Sequence, residues 1–335
     1  MSRYFKLVFK YSSYIRASTK EKIGGKRVPI RIAIVGYGSA GRQHIEAIKA
    51  VKEAELYCVY DEKANIVDDN LIKKESWVSL LEDTKIDAIA LCIPPGERNK
   101  LAYEALEAGK SILLEKPPFT TEQELNKLLI GSGEYNKTVG VMLQHRFRLP
   151  KEVLSWEWNE KTTATLEVSR PRDKDKYFKA WRLHPEKSFG GIISHLGVHY
   201  LDLACLLLGE PKIINPGVKR EIRPGLDLRT TGTIEFINGS SLSFSITCEV
   251  KKRKERLVIY GEDSTLIVED GIVSYEKDGY ESVSDFVETK EMRIKVYEDF
   301  VKAIKENRQP KLCHIDGARG VTKILEQFHS KAVYY

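Results

Sequence analysis

The chain has 335 residues, more than one ordinary domain, and its 42% hydrophobic and 30% charged content describes a folded globular protein with a large core rather than a disordered or fibrous one. A net charge of +6 is modest for this length and its basic excess sits at the N-terminus, so it says little about a nucleic-acid partner, and none is expected. No apolar run approaches the ~18 residues of a membrane span, so no membrane partner is expected, and the scattered cysteines Cys58, Cys92, Cys205, Cys248 and Cys313, with no CxxC pair, read as reduced core residues in a cytoplasmic setting.

Residues 1–28 form a basic extension in which Arg3, Lys6, Lys10, Arg16 and Lys20 precede the first acid, Glu21. That composition also suits an organellar presequence or a membrane-surface segment. A first domain is expected over 29–145. The apolar run 32–35 is short enough for a buried parallel strand and stops at Gly36. In Gly36-Tyr37-Gly38-Ser39-Ala40-Gly41, the first glycine allows the tight turn and the second lets a pyrophosphate approach the backbone. Gly41 lets the next helix lie close on the strand. That helix turns Ile45, Ala47, Ile48 and Val51 inward, and its N-terminus favours an anion. Asp61 ends the second strand at the distance where a carboxylate accepts both ribose hydroxyls of an adenosine. The combination reads as a dinucleotide site. Asp61 would repel a 2′-phosphate and so favours NAD, while Lys63 softens that preference and leaves NADP as the alternative.

The run 86–93 makes a further buried strand, stopped by Pro94-Pro95-Gly96. The helix after it turns Leu101, Ala105, Leu106 and Ala108 inward and ends at Gly109. Residues 111–114 form a strand running into Glu115-Lys116-Pro117-Pro118. Thr121 and Glu124 then make a capping box, and 139–143 is a strand leading to Gln144-His145-Arg146-Phe147. Strand–helix alternation of this kind specifies a parallel sheet covered on both faces.

Over 146–315 the period changes to two. Leu242, Phe244, Ile246, Cys248 and Val250 point one way and Ser241, Ser243, Ser245, Thr247 and Glu249 the other. Asn238-Gly239 signals a type I′ hairpin, and 257–260 and 265–268 flank a turn. A sheet with one apolar face needs a cover, either helices or a second subunit. Tyr297, Phe300, Val301 and Ile304 make a helical stripe, and a last helix within 316–335 is expected to pack back on the first domain.

Two places carry candidate chemistry. Lys116 lies at the carboxyl end of a parallel strand, where ligands bind in open α/β sheets. Partial burial there would lower its pKa, and Pro117 fixes the backbone beyond it. The segment from Gly191 reads as a helix carrying His195 and His199 one turn apart on one face. Two histidines so spaced can bind a metal, but no HExxH glutamate or further ligand cluster accompanies them, and no metal is expected. The readings left are rings that satisfy core hydrogen bonds, or a neutral His199 that accepts the proton of a substrate alcohol.

The whole chain from about Arg31 resembles the glucose–fructose oxidoreductase, inositol dehydrogenase and MocA family. Four stretches carry the likeness: GYGSAG at 36–41, ALEAGKSILLEKP at 105–117, LQHRF at 143–147 and GGIISHLGVHYLD at 190–202. The resemblance implies an α/β protein with an N-terminal doubly wound Rossmann sheet and a C-terminal α+β domain with an open, largely antiparallel sheet. It implies NAD(P)-dependent redox chemistry on a sugar, polyol or nucleotide sugar, Lys116 and His199 at the catalytic positions, and a homodimer or homotetramer formed through the open sheet.

One departure bears on mechanism. Many members carry an aspartate where this chain has His195, and a second histidine would oppose protonation of the first, leaving Lys116 as the main acid/base. The family histidine after the Pro-Pro turn is also absent, with Arg98 near that position. Tyr177-Phe-Lys-Ala-Trp181-Arg182 resembles the lead-in of members acting on nucleotide sugars. The candidate site is therefore Lys116, His199 and His195 for catalysis. Gly36, Tyr37, Gly38, Ser39, Ala40, Gly41, Asp61, Ile93, Pro94, Pro95, Glu115 and Lys116 would hold cofactor, and Arg146, Tyr177, Trp181, Arg182, His195 and His199 substrate. A non-catalytic NAD-binding sensor and a redox-neutral sugar hydrolase or lyase are the competing readings.

Overall fold

The structure is a computed structural model that describes residues 28–331, except 64, 65, 67 and 69, together with the strand residues 333 and 334. The basic stretch 1–27 lies outside the described residues. Five strands, β1 (Ile30–Val35), β2 (Ala54–Tyr60), β3 (Ala88–Leu91), β4 (Ser111–Leu114) and β5 (Val139–Val141), pair in parallel in the order β2-β1-β3-β4-β5. Every residue of β3, β4 and β5 is buried, as expected of apolar strands covered on both faces.

The connections are α1 (Ser39–Ala50), α2 (Trp77–Glu82), α3 (Pro95–Glu107) and α4 (Glu122–Glu134). The Thr121 hydroxyl accepts the Glu124 N–H and Glu124 reaches back to the Thr121 N–H, completing the expected capping box. In α3 Ala102, Ala105 and Leu106 are buried, whereas Leu101 and Ala108 are only half-buried. Its first residue is Pro95, whose missing N–H costs nothing there, so the expected strand-stopping prolines also start the helix.

The second sheet contains β6 (Thr163–Ser169), β7 (Pro211–Arg223), β8 (Leu226–Phe236), β9 (Ser241–Thr247), β10 (Lys254–Tyr260), β11 (Ser264–Glu269), β12 (Ile272–Lys277), β13 (Tyr280–Val283) and β14 (Val333–Tyr334). Their order is β13-β12-β11-β10-β6-β9-β8-β7-β14, antiparallel save for the parallel pairs β6–β9 and β7–β14. The apolar face is covered from within the chain by α5 (Val198–Leu208) and by the later helix Arg319–Lys331. A Cβ on Gly197 would stand 2.5 Å from Ile246, and the Phe244 and Phe328 rings lie 5.2 Å apart. Leu242, Phe244, Ile246 and Cys248 are buried as expected, but Val250 lies past the end of β9 and is exposed.

The β8–β9 hairpin is not type I′, since Gly239 has positive φ and Asn238 does not. Gly239 N–H donates to the Phe236 carbonyl and Phe236 N–H to the Ser240 carbonyl, a turn one residue longer that closes on a left-handed glycine.

Two helices shift the expected domain boundaries. Helix α6 (Thr289–Lys305), assigned by the 146–315 boundary to the second domain, buries Val296, Tyr297, Phe300 and Val301 against Ile32, Ile34 and Ile48 of the first. Helix α7 (Arg319–Lys331) packs mainly on β7 and α5. It reaches the first domain at α4, where Glu326 accepts the Glu122 N–H and Arg319 donates to Asn126. The helical stretch Pro185–Leu208 is long and apolar enough to cross a membrane, contrary to the sequence expectation, but it is buried inside the fold as a core helix.

Candidate active site

The carboxyl ends of β1 and β3 open on one crevice, where the strand order reverses. Gly36 has a φ of +99°, and a Cβ there would stand 2.7 Å from the Cys92 carbonyl oxygen and 3.1 Å from Ile93. A Cβ on Gly41 would stand 1.9 Å from the Gly36 carbonyl oxygen. Neither position tolerates a side chain. A Cβ on Gly38 would meet nothing within 4 Å, which leaves open space over Ser39, Ala40 and the first turn of α1. That space, the helix dipole and the unpaired N–H groups of a first turn fit a dinucleotide pyrophosphate. Asp61 follows β2 directly. It accepts the Tyr37 N–H at 2.7 Å and the Lys63 N–H at 2.8 Å, and these bonds fix the carboxylate at the rim of the crevice.

Lys116 is held by a buried chain of polar groups. Glu115 accepts the Lys116 N–H at 2.9 Å and bonds His44 Nε2 at 2.9 Å, while His44 Nδ1 bonds the Tyr297 hydroxyl at 2.6 Å. Burial keeps His44 below its ordinary pKa, so the neutral ring donates from Nε2 and accepts at Nδ1. Burial pushes the Glu115 carboxyl up, but the hydrogen bond from His44 and the charge of Lys116 outweigh it and hold the group below the usual range. Arg98, buried as well, donates to the carbonyls of Glu115, Pro117 and Ile93 and so clamps the loops after β3 and β4 together, Pro94 and Pro95 with them. The Lys116–Pro117 bond is cis.

Lys116 Nζ then crosses to the second domain and donates to the His195 carbonyl at 2.9 Å. Burial brings the ammonium down to about 8, with Glu115 opposing and Arg170 and Arg293 assisting.

The helix bearing the histidines begins at a glycine pair that strand β8 makes obligatory. A Cβ on Gly191 would stand 2.1 Å from the Asp227 carbonyl oxygen, and Gly190, with φ +94°, lies against His329. The buried Asp227 carboxylate accepts the Gly191 and Ile193 N–H groups, both at 2.8 Å, and the Thr230 hydroxyl at 3.1 Å. A carboxylate capping a helix start is favoured by charge as well as by hydrogen bonding. The first turn is a π-turn, Ile193–Gly197, which gives way to α5. The two rings, expected one turn apart on one helix face, have different neighbours. His195 sits 5.9 Å from the Tyr177 ring and 5.8 Å from Trp181, and its Nε2–H donates to the Ser188 carbonyl. His199 instead stacks on His145, with ring centroids 4.3 Å apart. Burial, then Lys116 and Arg182, bring His195 down to about 3. Burial, then His145 and Lys116, hold His199 well below its ordinary range. Both rings are neutral at working pH.

Arg146 was expected at the substrate. It is fully buried instead, its guanidinium bonded to both Asp202 oxygens at 2.8 and 2.6 Å and to the carbonyls of Leu312 and Gly317. With Nε and both terminal nitrogens bonded, it ties β5's exit to α5 and to the segment leading into α7, away from any substrate. Two residues on, Arg148 is buried with Nε and Nη1 lacking any partner. Arg182 lies 5.1 Å over the Tyr177 ring and 4.5 Å over Trp181.

The chain from 30 to 143 matches the model of an oxidoreductase family with an NAD-binding Rossmann fold, and 157–267 matches the GFO/IDH/MocA C-terminal domain. The chain belongs to the GFO/IDH/MocA oxidoreductase family. Among curated relatives, D-glucoside 3-dehydrogenase of Escherichia coli (strain K12) is 26% identical over 69% of this chain and 73% of its own length. Alignments to the curated relatives span from 31% to 74% of those relatives' length. UDP-N-acetylglucosamine 3-dehydrogenase GnnA from Acidithiobacillus ferrooxidans superposes with a TM-score of 0.77 at 20% identity, covering 91% of this chain and 98% of that one. Levoglucosan dehydrogenase, in complex with NADH and L-sorbose, superposes at 0.81 with 17% identity, covering 91% and 97%. At such identities the two structures speak for the fold.

Several residues of this family site escape a reading of the sequence. Arg293, buried with Nε unpartnered, closes a cavity of about 570 Å³ that runs from Ser39, Arg42, Gln43 and Glu46 to Thr289 and Lys290. It sets a cation beside Ser39 and the first turn of α1. His44 was detectable as a polar residue beside Ile45 on the inward face of α1. Asp227 and Arg293 left no local signal, since each acts on a segment distant in sequence.

Proposed function

We propose that the chain is an NAD(P)-dependent oxidoreductase that moves hydride between nicotinamide and a secondary alcohol or ketone of a sugar, polyol or nucleotide sugar. One observation carries the reading: Lys116 Nζ lies 2.9 Å from the His195 carbonyl, so a strand end of the nucleotide domain meets the histidine helix of the other domain across 79 residues of sequence. The D-glucoside 3-dehydrogenase relative supports the sugar class by its name alone.

Hydride exchange is the chemistry that a bound nicotinamide supplies. In the oxidising direction Lys116, with a pKa of about 8, takes the hydroxyl proton in its neutral form; in the reducing direction its ammonium returns one to the carbonyl. His199, too weak a base to carry that proton, orients the reacting oxygen through a neutral ring nitrogen. The absent aspartate beside His199 is therefore no obstacle, because the proton traffic runs through Lys116. Trp181 and Tyr177 flank His195 and shelter the site from water.

A panel of polyols, aldoses and nucleotide sugars, each followed for nicotinamide reduction, tests the reading. Turnover with at least one class is expected. Lys116→Met should cut kcat by about 10²–10⁴ with NAD affinity retained. Tight NAD binding with no turnover on any member would favour the sensor, and product without net NADH would favour a hydrolase or lyase.

A further inference from the structure

We propose, building on the dehydrogenase reading above, that the substrate carries an anionic group, a carboxylate or a phosphate, seated on an arginine wall made by Arg148, Arg172 and Arg182. The wall adjoins the site directly. The Arg182 and Arg172 guanidinium groups lie 5.1 and 5.5 Å from the Tyr177 ring, which is itself 5.9 Å from His195. The Arg148 charge acts on His145 and its side chain bonds Tyr200, and the His145 ring stacks on His199 and meets Tyr200 edge-on.

The charge balance of this wall is what asks for an anion. Arginine keeps its charge in any protein environment, and a buried charge is costly unless paired. Every buried carboxylate nearby is already engaged. Glu115 is taken by His44 and the Lys116 N–H, Asp202 by Arg146, Glu255 by Arg170 and Arg253, and Asp227 by the Gly191 and Ile193 N–H groups. Among the described residues none of Arg148, Arg172 and Arg182 has an ion-pair partner. Arg148 is 7% exposed with Nε and Nη1 unbonded, and Arg182 Nε is likewise buried and unbonded. Stacking on Tyr177 and Trp181 and a bond to the Tyr177 hydroxyl offset part of the cost for Arg182, but its buried Nε stays unbonded. A planar fork with an open edge matches a carboxylate or phosphate in two parallel bonds.

The test is calorimetry on the NADH-loaded protein with four probes that share one hexose core: D-glucose, D-glucuronate, glucose 6-phosphate and UDP-glucose. The inference expects at least one anionic probe to bind 10-fold or more tighter than glucose, with a Kd that rises with salt. Preference for glucuronate names a carboxylate, for glucose 6-phosphate a phosphomonoester, and for UDP-glucose alone a diphosphate. Arg182→Gln, half-buried and so tolerable to the fold, should collapse the anion-over-glucose ratio by about 10-fold or more without moving NADH affinity, and Arg148→Met should do the same. Glucose binding as tightly as all three anions, no anion binding, or arginine variants that weaken glucose and anions alike would each overturn it. The dehydrogenase reading fails separately: tight anion binding with no turnover of any sugar would remove the chemistry and keep the wall, whereas fast turnover of neutral sugars with no anion preference would do the reverse.

Discussion

The two rims of the crevice are built by different means. The cofactor rim is a contiguous loop whose working parts are backbone: glycines at 36, 38 and 41 shape it, and one carboxylate, Asp61, supports it from the next strand. The substrate rim is made of side chains gathered from β4, the turn after β5, the end of β6, the Tyr177–Arg182 segment and the histidine helix. It stands only because buried ion pairs and caps hold those pieces in register. A backbone site survives most substitutions except those that add atoms. A side-chain site fails when a residue that never touches substrate lets go of its neighbours.

The sharpest way to break this comparison is at Arg146. Arg146→Met leaves Asp202 buried and unpaired, which costs about 3–5 kcal/mol. Thermal unfolding should drop by roughly 6–20 °C. Rescue by Arg146→Met/Asp202→Leu would show the loss to be an orphaned charge; an unchanged melting temperature for the single variant would mean the substrate rim does not depend on it.

On the cofactor rim, Gly41→Ala places a methyl 1.9 Å from a carbonyl oxygen that cannot retreat, a strain of about 1–3 kcal/mol. NAD affinity should fall by about 10-fold or more while sugar binding to Lys116 and the arginine wall changes little. Equal losses on both sides would show that the rims are not separable.

The smallest effect is pH. Lys116, lowered to about 8, must be neutral to accept a proton, so the oxidation rate should climb about tenfold per unit below pH 8 and level above it, and the reduction rate should mirror it. A profile breaking nearer pH 6.5 would assign the proton to His199. Stability should run the other way from the usual histidine bond: His195 and His329, lowered to about 3 and about 4, bind protons only when unfolded, so stability present above the unfolded value of ~6.5 is lost as pH falls toward 4. A melting temperature flat between pH 7 and 4.5 would contradict this.

Legibility followed the same division. The glycine loop, the capping box at Thr121 and the alternation of β9 could be read from residues within about ten positions of one another, and Asp61 from its place at the end of the next strand, because each rests on the backbone geometry of one short unit. Arg146 could not. Its sequence context resembled a pocket residue, and only the arrival of Asp202 from α5 made it a structural pair. His195 and His199 were read as neighbours on an ideal helix; the sequence did not show that this turn is a π-turn packed on β8 and β9, or that His145 would stack on His199. Arg293 was invisible because α6 returns to the first domain after the whole second sheet.

The sequence alone determined the strand–helix order, the dinucleotide loop and the two segments that supply Lys116 and the histidines, since glycine, proline and hydrophobic period act over a few residues. Tertiary structure decided which charges face one another. A cation is paired or not according to whether a carboxylate from elsewhere reaches it: Asp202 reaches Arg146, and among the described residues no carboxylate pairs with Arg148, two positions on.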